Sequence, residues 1–409
     1  MVSIYGNEIW VAEGTYKPGS CRCSTFYLFN GVGIYGGFDP GNGYDLWSER
    51  DYVNNLTILS GDIGTVDINT DNSYHVVYSS GCDSNSIIDG FTITRGYADY
   101  YGGGMYNYGS SPSVTNCTFT YNSGNHGGGM CNGSSFEYYV PSNPTVTNCV
   151  FNMNSASNGG GMYNDLNCSV TISNCIFSDN TSVGPNWGGG ICNYFYSSVT
   201  ITDCVFSNNS AGWGGAIHSG GSNVLSNCVF VGNSVTQHGG AIFNNIGDLK
   251  MTNCTVTGNS ATYDGGGLCI AAEPTQIDNC IIWNNNGRYG DEIFNIPGSD
   301  GANIAYCNIK NSGGSGGGWD PNVGNDGGGN IDVDPNFVDP NDADGDDDIW
   351  MTSDDGLVIT NTRCIDAANG NVDPNTDILG NSRDDDPNWS NIGIGEPNYV
   401  DMGAYEHQV

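Results

Sequence analysis

Apolar and polar residues alternate along this chain in short runs, and the runs repeat. The phrase Val-Thr-Asn-Cys-Thr-Phe-Thr-Tyr-Asn at 114–122 returns as Leu-Ser-Asn-Cys-Val-Phe-Val-Gly-Asn at 225–233. A glycine-rich phrase follows each time, as in Gly127-Gly128-Gly129-Met130 and Gly239-Gly240-Ala241-Ile242. Another short run comes after the glycines: Met105-Tyr106-Asn107, Met162-Tyr163-Asn164, Ile191-Cys192-Asn193, Ile242-Phe243-Asn244. Alternation over so few residues predicts strands, and no window sustains the 3.6-residue period of a helix.

The period sets the architecture. Cys117, Cys149, Cys175, Cys204, Cys228, Cys254, Cys280 and Cys307 recur at spacings of 32, 26, 29, 24, 26, 26 and 27. Repeats of this size stack so that each contacts only its neighbours. A repeat of about 25 residues holds about three strands plus turns. The predicted fold is all-β: a parallel β-helix of roughly a dozen coils. Equivalent residues then form ladders one coil apart. The cysteine ladder, a phenylalanine ladder (Phe119, Phe151, Phe177, Phe206, Phe230) and a Met/Ile/Leu ladder from Met105 to Leu268 fill the core. Asn122, Asn154, Asn180, Asn209, Asn233, Asn259 and Asn285 each fall three residues after the Phe position. Asparagine tolerates left-handed backbone and bonds its own turn, and stacked amides bond each other. These ladders are core and turns, with no catalytic residue among them.

Composition narrows the partners. The chain has 409 residues, 9 Lys plus Arg, 44 Asp plus Glu and a formal charge of −35. Such a chain is a poor partner for nucleic acid or anionic lipid. No run of about 18 apolar residues is present, so no membrane-spanning helix is expected. No signal peptide is visible either, and a natural start upstream of Met1 is expected. Sixteen cysteines suggest disulfides, but a register ladder suggests buried, reduced thiols stacked about 4.8 Å apart. Cys21 and Cys23, and the off-ladder Cys82, Cys168 and Cys364, are the better candidates for oxidation.

The pairing of Phe-x-x-Asn with Gly-Gly-[AGILM], beginning at Phe119–Asn122 and Gly127–Gly129, resembles the repeats of polymorphic outer-membrane proteins and related right-handed parallel β-helix proteins. It covers about residues 88–310. Glu8–Tyr16 and Gly31–Phe38 resemble the first coils of large secreted bacterial β-helix proteins. The resemblance implies a bacterial, extracellular or cell-surface location. The domain reading is a β-helix over 1–310, with N-terminal coils 1–87 and regular repeats 88–310, then a Gly/Asp-rich linker and capping segment over 311–409. That last segment holds 21 of the 44 acidic residues and only Arg363 and Arg383 as cations. Its tail, from Cys364-Ile365-Asp366-Ala367 through Asp401-Met402-Gly403-Ala404-Tyr405-Glu406, resembles the choice-of-anchor Q domain. It is expected to add a last coil or two and cover the solenoid end.

Candidate chemistry is sparse. Asp342, Asp344, Asp346 and Asp348 alternate in a way that suits calcium, although the EF-hand pattern fails at Asp347 and Ser353. The plain alternative is a solvated acidic loop. Asn69-Thr70-Asp71 echoes one motif of galacturonan hydrolases, but their paired Asp and other motifs are missing. The residues before each glycine corner, Tyr101, His126, Asn158, Trp187, Trp213, His238 and Asp264, would line one edge of the solenoid. An aromatic row of this kind stacks on sugars or anchors a protein; alternatively it covers the glycine corners. Tyr138 and Tyr139 lie in an insertion, and insertions often map to the binding face. The reading is a non-catalytic adhesive or glycan-binding surface protein. The alternatives are a polysaccharide lyase or glycoside hydrolase acting on acidic polysaccharide, and a structural spacer.

Overall fold

The computed structural model describes residues 2–5, 7–39, 41, 46–66, 68–133, 140–272, 274–372, 374–383, 385, 387–396 and 399–407. The chain is an all-β parallel β-solenoid of about 12 turns, with the right-handed coiling that the resemblance implies. Among the described residues the helical pieces are two 3-10 turns, Trp47–Glu49 and Asn69–Asp71. Two compact units divide it: Met1–Val199 with Asn209–Ala211, and Thr200–Asn208 with Gly212–Val409.

In the first unit three long sheets surround the core. The valine sheet stacks Ser113–Thr115 on Thr145–Thr147 and that on Ser169–Ser173, so that Val114, Val146 and Ile172 align. The phenylalanine sheet aligns Phe119, Phe151 and Phe177. Their rings are buried and stacked face to face, with centroids 4.7 and 4.6 Å apart. The methionine sheet aligns Met105, Met130, Met162 and Ile191. At the N-terminal end Glu8–Ala12 pairs in parallel with Gly33–Phe38, while Val2–Tyr5 turns back antiparallel along Glu8–Ala12.

The ladders explain the repeat. Asn122 donates through Nδ2 to Asn154 Oδ1 (3.1 Å) and to the carbonyl of Ile93 (2.9 Å), and Asn154 repeats both bonds with Asn180 and Phe119. The amides satisfy turn carbonyls that the core would otherwise leave unpaired. The left-handed backbone, however, sits one residue earlier than the pattern suggested. Tyr121, Met153, Asp179 and Asn208 have positive φ, not the buried asparagines, which are held by their side-chain bonds. The glycine corner has a steric reason. A Cβ on Gly160 would lie 2.6 Å from the Gly189 carbonyl of the next coil, closer than van der Waals contact allows.

The cysteine ladder is buried and its thiols are free. Cys117 N–H donates to Cys149 Sγ at 3.4 Å, and each thiol donates back to a nearby carbonyl. Burial pushes the Cys117 and Cys149 thiols up, which keeps them protonated and inert. Cys82, Cys168 and Cys364, expected to be oxidation-prone, are also buried and free. Cys21 and Cys23 do form a disulfide.

The second unit continues the pattern from Val229–Val231 and Asn223–Ser226 to Asn303–Ala305. Asn325–Asp326 adds one further strand to the valine sheet. From there the acidic segment forms a loop-rich layer that packs along the flank of its coils. Val400, Met402, Cys364 and Ile365 bury the outward faces of Ile281 and Trp283. The asparagines that precede the cysteines hold its backbone: Asn227 Nδ2 donates to the Thr376 carbonyl (2.7 Å), Asn253 to Asp401 and Asn279 to Asn369. Arg383 pairs with Glu406 at 2.8 Å, and both side chains are buried.

Candidate carbohydrate-binding site

The expected aromatic row exists, in a different form from a free sugar-stacking face. In the first unit Tyr101 and His126 are half-buried at successive glycine corners, with ring centroids 5.5 Å apart. Tyr101 also stacks on Tyr106, which projects outward from the methionine sheet, at 5.5 Å. His126 meets Tyr163 at 4.7 Å, and Trp187 meets Tyr194 at 6.3 Å. In the second unit Trp213 packs on His238 (4.7 Å) and Phe243 (4.9 Å), and His238 Nδ1 lies 2.9 Å from Asp264. Rings stacked along the coil axis spend their faces on each other. Their burial pushes Tyr101 up to about 12 and lowers the His126 pKa. Most of the row is therefore packed ring against ring. Tyr138 and Tyr139 lie outside the described residues.

At its N-terminal end the row opens. Tyr74, His75, Asp99, Tyr100, Tyr101 and Tyr106 line a pocket of about 370 Å³. His75 Nδ1 is 2.8 Å from the Gly102 carbonyl, which can only accept, so Nδ1 carries a proton. Burial lowers the His75 pKa and keeps the ring neutral.

A larger cleft, about 550 Å³, lies on the outer face of the valine sheet in the N-terminal coils. Its floor follows from register. Trp10, Tyr35, Asp89 and Thr115 are successive partners across four strands, and Ile87 and Ser113 form the neighbouring row with Gly33. Gly33 is needed there, because a Cβ would meet the Tyr35 ring at 2.6 Å. The 3-10 turn folds Trp47 over this floor, edge-on to Tyr35 at 5.0 Å and 5.7 Å from Trp10. Trp47 remains 49% exposed, so part of its ring is free to meet a ligand. Glu8 accepts from Trp10 Nε1 at 3.1 Å.

Beside the cleft, Arg50 holds one of its carboxylates. Its guanidinium is 2.6 Å from Asp89, donates to the Gly36 carbonyl at 2.7 Å, and lies 5.3 Å from the Trp47 ring centroid. Asn116 donates a further bond to Asp89. Burial, then the charges of Glu8 and Asp89, push the Tyr35 hydroxyl up. Arg50 is thus committed to Asp89, while Glu8 accepts from the Trp10 indole. None of these six side chains, Glu8, Trp10, Tyr35, Trp47, Arg50 and Asp89, stood out in the sequence. The usable signal was that Trp10, Tyr35 and Asp89 occupy outward positions of strands one coil apart.

The other expected sites resolve plainly. Asp342, Asp344 and Asp348 bring ligand oxygens within 4.8 Å of one another; Asp346 is not part of this group. Asn69-Thr70-Asp71 is an exposed turn in which Asp71 accepts from the Thr65 amide. Among the described residues no helix is long and apolar enough to cross a membrane.

Comparison with known proteins agrees with this architecture. A comparison with curated proteins finds no match. A solved structure, "Crystal structure of pectate lyase Pel9A", is similar in fold, with a TM-score of 0.53 and 14% identity over 98% of this chain and 88% of that one. At that identity the likeness is one of fold. A family model described as "Right handed beta helix region" matches residues 52–196 and 157–279. The overlapping matches run through more than half of the sequence, and the chain belongs to the right-handed β-helix family.

Proposed function

We propose that this protein is a non-catalytic glycan-binding β-helix whose cleft over Trp10, Tyr35 and Trp47 takes a segment of a neutral polysaccharide. The observation that carries this is the pairing of a half-exposed indole with hydrogen-bonding groups in one concave site. Trp47 offers a ring to a sugar's C–H face, while Glu8, Ser113 and Thr115 offer acceptors and hydroxyls to its O–H groups. Neutral sugars are favoured because Arg50 already satisfies Asp89 and Glu8 would repel a polyuronate. The repeat resemblance to polymorphic outer-membrane proteins, and that of the tail to choice-of-anchor Q domains, support a role at the bacterial surface, where adhesion would follow from glycan binding.

The test is retention of the full chain on neutral and acidic glycans, with and without calcium, while assaying released products. Retention of neutral glycans without products is expected, with Trp47→Ala weakening it about tenfold or more. Retention unaffected by Trp47→Ala would overturn the assigned cleft. Release of unsaturated or reducing ends would replace the reading with polysaccharide cleavage, the kind of activity that the name pectate lyase gives to the structural neighbour.

A further inference from the structure

Fourteen cysteines are free and buried; Cys21 and Cys23 are bridged and exposed. The bridge encloses one residue, Arg22, whose side chain reaches two later coils. Its Nε donates to the Asn72 carbonyl and its Nη2 to the Tyr97 carbonyl, each at 3.0 Å. The guanidinium sits 4.1 Å over the Tyr74 ring and 3.4 Å from Asp99. Tyr74 and Asp99 are walls of the 370 Å³ aromatic pocket.

We propose that Cys21–Cys23 is a thiol–disulfide exchange site whose oxidation state sets the order of that pocket through Arg22. An exposed disulfide is open to in-line attack, whereas the buried thiols are not. A low-molecular-weight thiol is the reductant. Its thiolate attacks one of the two sulfurs and forms a mixed disulfide as the Cys21–Cys23 bond breaks. The displaced cysteine leaves as a thiolate and takes up a proton. A second external thiol resolves the mixed disulfide, so the protein gains two thiols and the reductant becomes its own disulfide. In the oxidised form the small ring restricts the backbone of Arg22 and pre-organises its contacts. Reduction returns that freedom, loosens the cation from Tyr74 and Asp99, and opens the wall.

The experiment treats the native full chain with millimolar glutathione, alkylates it without denaturant, and maps modified cysteines by mass spectrometry. Amide hydrogen exchange is followed at 72–76 and 97–101. Two alkylations, at Cys21 and Cys23, are expected, with exchange in those segments about tenfold faster. Cys21→Ser/Cys23→Ser should show the same acceleration without reductant, and Arg22→Ala should show it with the bridge intact. A bridge that resists glutathione until the buried thiols also react would overturn the exchange site. Unchanged exchange after reduction or in Arg22→Ala would overturn the coupling to the pocket. Neither readout depends on glycan binding, so this inference and the assigned cleft fail separately.

Discussion

At the scale of single residues, the buried amides and carboxyls decide most. Asn154 serves both neighbours: its Oδ1 accepts from the backbone and side chain of Asn122, and its Nδ2 donates to the Phe119 carbonyl. Asn154→Ala strands buried donors and an acceptor, and should cost about 3 kcal/mol in urea unfolding. The ladder in the second unit ends at Glu292. Its Oε2 accepts from Asn285 Nδ2 at 2.6 Å, in the place that the next coil's asparagine would fill. Ser312 holds that position and bonds its own turn instead. Burial pushes Glu292 up to about 7, despite the Asn285 bonds and the nearby Lys310. A carboxyl raised in the folded state adds its full stability below its ordinary pKa and loses it as pH climbs through the folded value. Glu292→Gln should therefore stabilise by up to about 3 kcal/mol at pH 8 and have little effect at pH 4. Paired denaturation curves at the two pH values would check this.

At the scale of elements, the acidic loop around Asp342 carries a prediction of its own. Alternation suggested four ligands; three of them, Asp342, Asp344 and Asp348, bring ligand oxygens within 4.8 Å of one another. Desolvation, then the charges of the neighbouring acids, raises the Asp342 pKa. A divalent cation would relieve that repulsion. Millimolar calcium should raise the melting temperature, EDTA should reverse the gain, and Asp344→Asn should reduce the response more than Asp346→Asn. Equal responses in the two variants would contradict the three-ligand grouping. The C-terminal segment shows the same division. Its acidic composition was legible, but nothing in the pattern said that Asn227, Asn253 and Asn279 would hold it along a flank.

For the molecule as a whole, acid should be protective over a wide range. Glu406 and Asp401 are raised by burial, and the Arg383 guanidinium beside Glu406 offsets this only in part. Burial also raises Asp165, Asp203, Asp278 and Asp355. Asp51, Asp326 and Asp354 are held low, but they are exposed and weigh less. Lower pH also reduces self-repulsion in a chain of charge −35. Stability should rise as pH falls from about 9 to about 5, opposite to ordinary acid unfolding. A melting temperature higher at pH 8.5 than at pH 5 would contradict this.

The sequence by itself determined the coil. Its period, ladders and glycine corners are local, repeated instructions, and each coil needs only its neighbour to obey them. Whatever depends on the outward face was decided by tertiary structure. Trp10, Tyr35 and Asp89 meet because stacking puts distant residues a few ångströms apart, and Arg50 reaches Asp89 from a loop. The predicted aromatic row turned inward on itself because rings one coil apart satisfy each other before they meet a ligand. Periodicity tells which residues share a ladder. Whether a ladder is covered, stacked or open depends on what the loops between coils bring over it, and those loops carry no period.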